Sequence, residues 1–167
     1  MSKHTSHSLE ETAQIADQWL GYISAKHNRM DSGMHWNDTK TGATLVGLSG
    51  HLGAGKTAFT KVVAKILGVT EDITSPTFVI MKLYDITAKQ KDGTDFSWKK
   101  LVHIDAYRLE RGQELSALNF ESLVADANNL ILIEWPENVK KEVEKVTGYE
   151  QITFEAGKGE NERVMEY

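Results

Sequence analysis

The chain has 167 residues, about the size of one domain, of which 40% are hydrophobic and 26% charged, the balance of a soluble globular protein. It holds no cysteine, which excludes disulfides, thiolate catalysis and cysteine-ligated zinc, and its net charge of -5 argues against a broad basic face for nucleic acid. No apolar run approaches the ~20 residues that span a bilayer, and the opening MSKHTSHSLEET lacks a signal core, so a cytoplasmic protein without membrane contact is expected.

The N-terminus, with His4 and His7, reads as frayed. SLEETAQIADQWLGYI is predicted as the first helix. Ser8 and Glu11 form a capping box in which each side chain can satisfy an orphan backbone N–H, and Leu9, Thr12, Ala13, Ala16, Trp19, Leu20 and Ile23 follow on one face. KHNRMDSGMHWNDTKTG is polar and turn-rich and reads as a loop, an insert over about 26–42 containing His27, His35 and Trp36. TLVGLS is a short apolar run suited to a buried strand. KTAFTKVVAKILG then sets Phe59, Val62, Val63, Ile66 and Leu67 on one helical face, with Gly68 where a C-terminal cap belongs.

TFVIMKLYDI reads as a strand. TAKQKDGTDFSWKK carries a DG turn and reads as an extended hairpin or long exposed loop, a second insert over about 86–99 with Trp98 partly exposed. LVHID is a second apolar strand ending in Asp105, within which His103 reads as a packed or edge histidine. RGQELSALNFESLVADA is predicted helical, and NNLILIE is a third buried strand, ending in Glu134. The tail YEQITFEAGKGENERVMEY offers one or two short edge strands. Apolar strands alternating with amphipathic helices imply a single α/β domain over 1–167, with a mainly parallel sheet and antiparallel strands at its edge.

The chemistry concentrates in GHLGAGKTAFT. Gly50, four residues, then Gly55-Lys56-Thr57 fits G-x-x-x-x-G-K-[ST] in full, with a strand before it and a helix behind it. Gly50, Gly53 and Gly55 permit a tight loop whose N–H groups turn toward an anion. The helix starting near Lys56 aims its positive end at the same point. Lys56 can reach terminal phosphates, and the Thr57 hydroxyl can ligate Mg²⁺. A glycine-rich turn that merely joined strand to helix would have no need of Lys56 followed by Thr57.

Asp105 and Glu134 each close an apolar strand, and in a parallel sheet ligands gather at the carboxyl ends of strands. Either carboxylate can therefore meet the metal or the attacking water. In Ser75-Pro76-Thr77 a hydroxyl can act as a switch that senses the terminal phosphate, or serve only turn chemistry. The chain has no N/T-K-x-D element and no D-x-x-G after LVHID, so ATP is expected rather than GTP. An ATPase, a small-molecule kinase of the P-loop class and a slowly hydrolysing nucleotide-gated module all remain compatible with these motifs.

LSGHLGAGKTAFT, TSPTF, HIDAYRL and IEWPE, in that order and after an opening SLEET, resemble the TsaE family, also known as YjeE, from about Ser8 to the tail. The resemblance implies a P-loop NTPase-like three-layer sandwich and an ATPase that uses ATP and Mg²⁺ in tRNA threonylcarbamoyladenosine synthesis. It also implies that the protein acts with TsaD and TsaB to reset the transfer complex, meeting tRNA only through that complex; the oligomeric state stays open. Carried over by position, Gly50, His51, Leu52, Gly53, Ala54, Gly55, Lys56 and Thr57, with Ala58 behind them, would hold the phosphates. Thr57 and Glu134 would hold Mg²⁺, with Asp105 as a Walker B-like acid polarising water or ordering a metal-bound water. Thr77 would be the switch hydroxyl. Ser8 and Thr12 would lie near adenine and ribose, and Trp135 would pack on the nucleotide site. Tyr107 and Arg108 complete the HIDAYRL motif and would contact a partner or nucleotide. The sequence departs from the family at His51, where an acid is usual, in its two longer inserts, and after EWPE, where an arginine is often found.

Overall fold

The computed structural model describes residues 2–31, 42–76, 79–159 and 161–167. Strand β1 (Lys3–Ser6) leads into helix α1 (Leu9–Asp31), β2 (Thr44–Gly50) and α2 (Lys56–Ile66). After these come β3 (Met81–Asp85), β4 (Lys100–Asp105), α3 (Phe120–Ala125), β5 (Asn129–Glu134), α4 (Lys140–Val143), β6 (Glu150–Ala156) and β7 (Arg163–Glu166). The strands form one seven-stranded sheet in the order β1-β7-β6-β2-β5-β4-β3. Its centre, β6-β2-β5-β4, is parallel, while β3, β7 and β1 add antiparallel strands outside it.

Side chains alternate across the sheet with period two. Val46, Leu48, Leu101, Leu130 and Leu132 pack on one face against Trp19 and Leu20 of α1 and Phe59 and Val63 of α2. Leu45, Val102, Ile104, Ile131 and Ile133 pack on the other against Leu115, Phe120, Val139 and Val143. Both faces being covered explains why β2, β4 and β5 read as nearly unbroken apolar runs. The expected three-layer sandwich, with parallel centre and antiparallel edges, is the observed fold. The connection leaving β2 runs over the first face and those leading to β5 and β6 over the second, which makes the carboxyl end of β2 a switch point.

Helix α2 ends as its sequence predicts. Gly68 has φ 75°, its N–H reaches the Lys65 carbonyl, and the Val69 N–H reaches that of Ala64, the two bonds of a Schellman cap. At the start of α1 the Ser8 hydroxyl accepts from the Glu11 N–H at 3.2 Å, whereas the Glu11 carboxylate accepts from His7 N–H at 2.7 Å rather than from Ser8.

Several expectations are corrected. The N-terminus is a strand, not frayed: Lys3–Ser6 pair with β7, and His4 stacks on Tyr167 at 4.7 Å. The first insert begins as helix, since α1 runs on to Asp31; His27 is buried on it and bonded to the Thr44 hydroxyl at 2.9 Å. Residues 32–41, including His35 and Trp36, lie outside the described residues, as does Thr77. The second insert is a packed hairpin arm with a Lys89–Asp95 bridge. Trp98 is buried there, because its indole finds an acceptor in the Thr44 hydroxyl at 2.9 Å and its ring a neighbour in Phe96. The predicted helix after Arg111 is instead a 3₁₀ turn over Gly112–Leu118 followed by α3, broken where Asn119 adopts φ 55°. Finally, β6 lies inside the sheet, between β2 and β7, and not at its edge.

Candidate functional site

The chain leaves β2 at Gly50 and turns sharply before α2. Gly50 has φ 143°, and a Cβ there would stand 2.3 Å from the Phe154 carbonyl oxygen, so β6 and the loop touch backbone to backbone. Gly53 is also left-handed, at φ 79°, but a Cβ there meets nothing within 4 Å. Gly50→Ala is therefore expected to destabilise the fold by about 2–4 kcal/mol through clash and strain together. Gly53→Ala is expected to lose only about 1 kcal/mol. Denaturant midpoints of the two variants check this, and equal losses would contradict it.

Lys56 opens α2 yet is only 4% exposed. Its ammonium donates to the carbonyls of Gly50 at 2.6 Å and His51 at 3.0 Å, and lies 3.9 Å from the centre of the Trp135 ring. Burial lowers its pKa from the ordinary value, against the opposing pull of the Glu134, Glu137 and Asp105 carboxylates. His51 thus contributes a carbonyl oxygen, while its side chain points to solvent at the crown of the loop beside the exposed Leu52. No acid occupies the first turn of α2, so nothing within the helix offsets its positive end at the loop.

The carboxyl ends of β5 and β4 bring up the acids. Glu134 pairs in register with Leu48 on one side and Asp105 on the other. The Thr57 hydroxyl donates to the two Glu134 oxygens at 2.9 and 3.0 Å. Asp105 accepts from the Tyr107 N–H at 3.0 Å and from the Ser75 hydroxyl at 3.1 Å, which ties the segment leading to Thr77 to the acid. Trp135 follows in a left-handed conformation, φ 59°, ψ 49°. That geometry is unfavourable for a tryptophan, and it sets the ring against both Lys56 and, at 5.2 Å, Tyr107.

These groups line one cleft of about 770 Å³. One end holds Ser75, Asp105, Glu134 and Trp135; residues from the start of α1 and from β7 also line it, among them Ser8, Thr12, Arg163 and Met165. Thr12 is buried, its hydroxyl shared with the Ser8 carbonyl at 3.0 Å and the Ser6 hydroxyl at 2.7 Å. Of the expected site, Leu52 to Ala58, Ser8, Thr12, Asp105, Glu134 and Trp135 share the cleft, while Gly50 and His51 act behind it through their carbonyls.

Two residues of this region escaped the sequence reading. His103 is fully buried with Nε2 2.9 Å from Glu134 Oε1; its separation of two from Asp105 on a strand was the available signal. Arg163 runs beside Gly55, its Cγ and Cδ 3.6 Å from where a Cβ on that glycine would be, and only the tertiary fold brings it there.

The donor set suits a magnesium nucleotide. One hydroxyl and two carboxylates are hard oxygen ligands of the kind magnesium takes. Next to them lies a glycine-rich loop, packed backbone to backbone on β6, whose N–H groups can turn toward an anion. Among the described residues no helix is long and apolar enough to cross a membrane.

The chain is similar to known proteins in sequence and fold. The family model described as threonylcarbamoyl adenosine biosynthesis protein TsaE matches residues 6–165. The tRNA threonylcarbamoyladenosine biosynthesis protein TsaE of Streptomyces coelicolor is 41% identical over 100 residues, which cover 59% of this chain and 61% of the relative. The protein of that name from Nostoc sp. is 32% identical over 71% of this chain and 68% of its own length. That of Bacillus subtilis is 36% identical over 58% and 52%. The matches to the Streptomyces and Bacillus proteins thus span less than two-thirds of those relatives. Among solved structures, Bacillus subtilis YdiB shares the fold with a TM-score of 0.60 at 24% identity, over 98% of this chain and 82% of that one.

Proposed function

The chain belongs to the TsaE family, and on that premise we propose that it is the Mg²⁺-dependent ATPase of tRNA threonylcarbamoyladenosine synthesis, working with TsaD and TsaB to reset the transfer complex. It would do so as a single cytoplasmic domain that meets tRNA only through its partners. The observation that carries this reading is the meeting of Thr57, Glu134 and Asp105 at the edge of one glycine-rich loop. In it the amides of residues 53–58 and the positive end of α2 receive the phosphates. Lys56 neutralises their charge from within the loop. Thr57 and Glu134 hold Mg²⁺, which when bound draws charge off the terminal phosphates. Asp105 orients the attacking water, and Ser8 and Thr12 border the adenosine. Trp135 braces Lys56 in position, and Thr77, two residues after the Asp105-bound Ser75 in the sequence, is the switch.

Hydrolysis is expected to be slow in isolation. Leu9, Leu52 and Tyr107 stand exposed around the cleft, an apolar rim suited to a protein that closes over it and excludes water. In P-loop enzymes an arginine supplied to the transition state raises turnover by about 10³–10⁵, and a partner that supplies one here is expected to raise turnover toward that range. The test is threonylcarbamoyladenosine formation over many turnovers from purified TsaD and TsaB, with and without this chain, alongside ATP consumption. Sustained product only when the chain is present supports the reading. Fast ATP turnover by the chain alone, unchanged by the partners, or phosphate transfer to a metabolite as a kinase would perform, defeats it.

A further inference from the structure

Glu134 is held from two sides. Thr57 donates to both of its oxygens, at 2.9 and 3.0 Å, and His103 Nε2 lies 2.9 Å from Oε1. His103 points from β4 to the same face as Asp105, one strand across from Glu134, and is 0% exposed. A carboxylate only accepts, so the hydrogen in this contact belongs to Nε2. His103 Nδ1 is buried with no partner among the described residues, so the ring's hydrogen bond is the one to Glu134. The imidazole is thus fixed in orientation by what it offers Glu134.

The Thr57 hydroxyl has one hydrogen and, as a magnesium ligand, a second task. When its oxygen turns a lone pair to the Mg²⁺–nucleotide, its one hydrogen is reoriented and can no longer bridge both Glu134 oxygens. The His103 contact does not depend on Thr57 and stays. We propose that His103 is a positioning residue that keeps the Glu134 carboxylate aimed at the metal side of the cleft while Thr57 is engaged there. This rests on the reading of the cleft as a Mg²⁺–nucleotide site. A histidine that only filled the core could be exchanged for an apolar side chain of similar bulk without effect on the site; one that aims a carboxylate could not. Hydrogen-bonded partners of metal ligands typically alter metal affinity or activity by about 10–100-fold when removed.

The experiment uses the full chain with Mn²⁺ as the probe, its binding read by electron paramagnetic resonance in the presence of a non-hydrolysable ATP analogue, and steady-state turnover with the partner proteins. His103→Leu keeps bulk and removes the donor; His103→Gln retains an N–H donor where Nε2 lies. The leucine variant is expected to lose about 10–100-fold in Mn²⁺ affinity and in kcat, with metal-free nucleotide affinity and KM unchanged. The glutamine variant is expected to recover most of both losses. Wild-type Mn²⁺ affinity and kcat in the leucine variant, or equal losses in both variants while thermal melts show both folded, would overturn the proposal. If the leucine variant does not fold, His103→Asn, whose shorter amide matches Nδ1 and cannot reach Oε1, takes its place with the same expectation. Wild-type protein that showed no Mn²⁺-dependent nucleotide binding would overturn the reading of the cleft as well, and so separates the two failures.

Discussion

Lys56→Ala is expected to weaken ATP binding by about 10²–10⁴-fold, taking two charge-assisted contacts to phosphate at about 1.5–3 kcal/mol each, and to abolish turnover. The large effect follows from where the ammonium sits. It is nearly enclosed, braced by two loop carbonyls and the Trp135 ring, and it stands before three carboxylates, Glu134, Glu137 and Asp105. Removing it leaves the phosphate site facing those acids uncompensated, so the variant would repel the anion as well as fail to hold it. The fold should survive, because the freed carbonyls of Gly50 and His51 lie on half-buried or exposed residues that water can reach. Lys56→Arg is not expected to rescue binding, since a planar fork cannot replace a point charge inside a closed loop. Calorimetric titration with ATP, with a thermal melt as control, measures this. ATPase activity at the wild-type level would remove Lys56, and the loop with it, from the catalytic site.

How far the sequence reveals this site depends on how local each signal is. The glycine-rich loop is contiguous, and its geometry follows from Gly50, Gly55, Lys56 and Thr57 in one short stretch. Asp105 and Glu134 were legible because each ends an apolar strand, and parallel strands end together. His103 carried a usable but unused signal: on a strand, residues two apart share a face, so whatever reached Asp105 lay near His103. The contribution of β1 was not legible, and β7 was legible only as a short strand of the tail, not as a wall of the site. Lys3–Ser6 is short and polar, and it becomes a strand only because Arg163–Glu166, itself paired with β6, supplies its hydrogen bonds. Arg163 reaches Gly55 because its partner strand β6 lies beside β2, a parallel pairing about a hundred residues apart in sequence. Trp98 shows the same limit from inside the core, where burial was decided by an acceptor on Thr44, far away in sequence.

Glu134→Gln is expected to lower turnover by about 10²–10³-fold while changing ATP affinity by less than about tenfold. The two effects separate because the carboxylate acts twice, with opposite signs. As a proposed metal ligand it contributes to the reacting geometry; as a negative charge beside the phosphates it opposes their entry. Neutralising it removes the first contribution to turnover but relieves the second in binding, so affinity moves little. Glutamine is the informative substitution because its carbonyl oxygen can still accept from Thr57 or His103, whereas alanine would leave both donors without a partner in a closed pocket. The unliganded fold should melt no lower than wild type, since Asp105 stands in register beside Glu134 and the change removes one of two neighbouring negative charges. Pre-steady-state hydrolysis paired with ATP titration reads both quantities. Equal losses in binding and turnover would mean that Glu134 serves to hold nucleotide and takes no separate part in the chemistry.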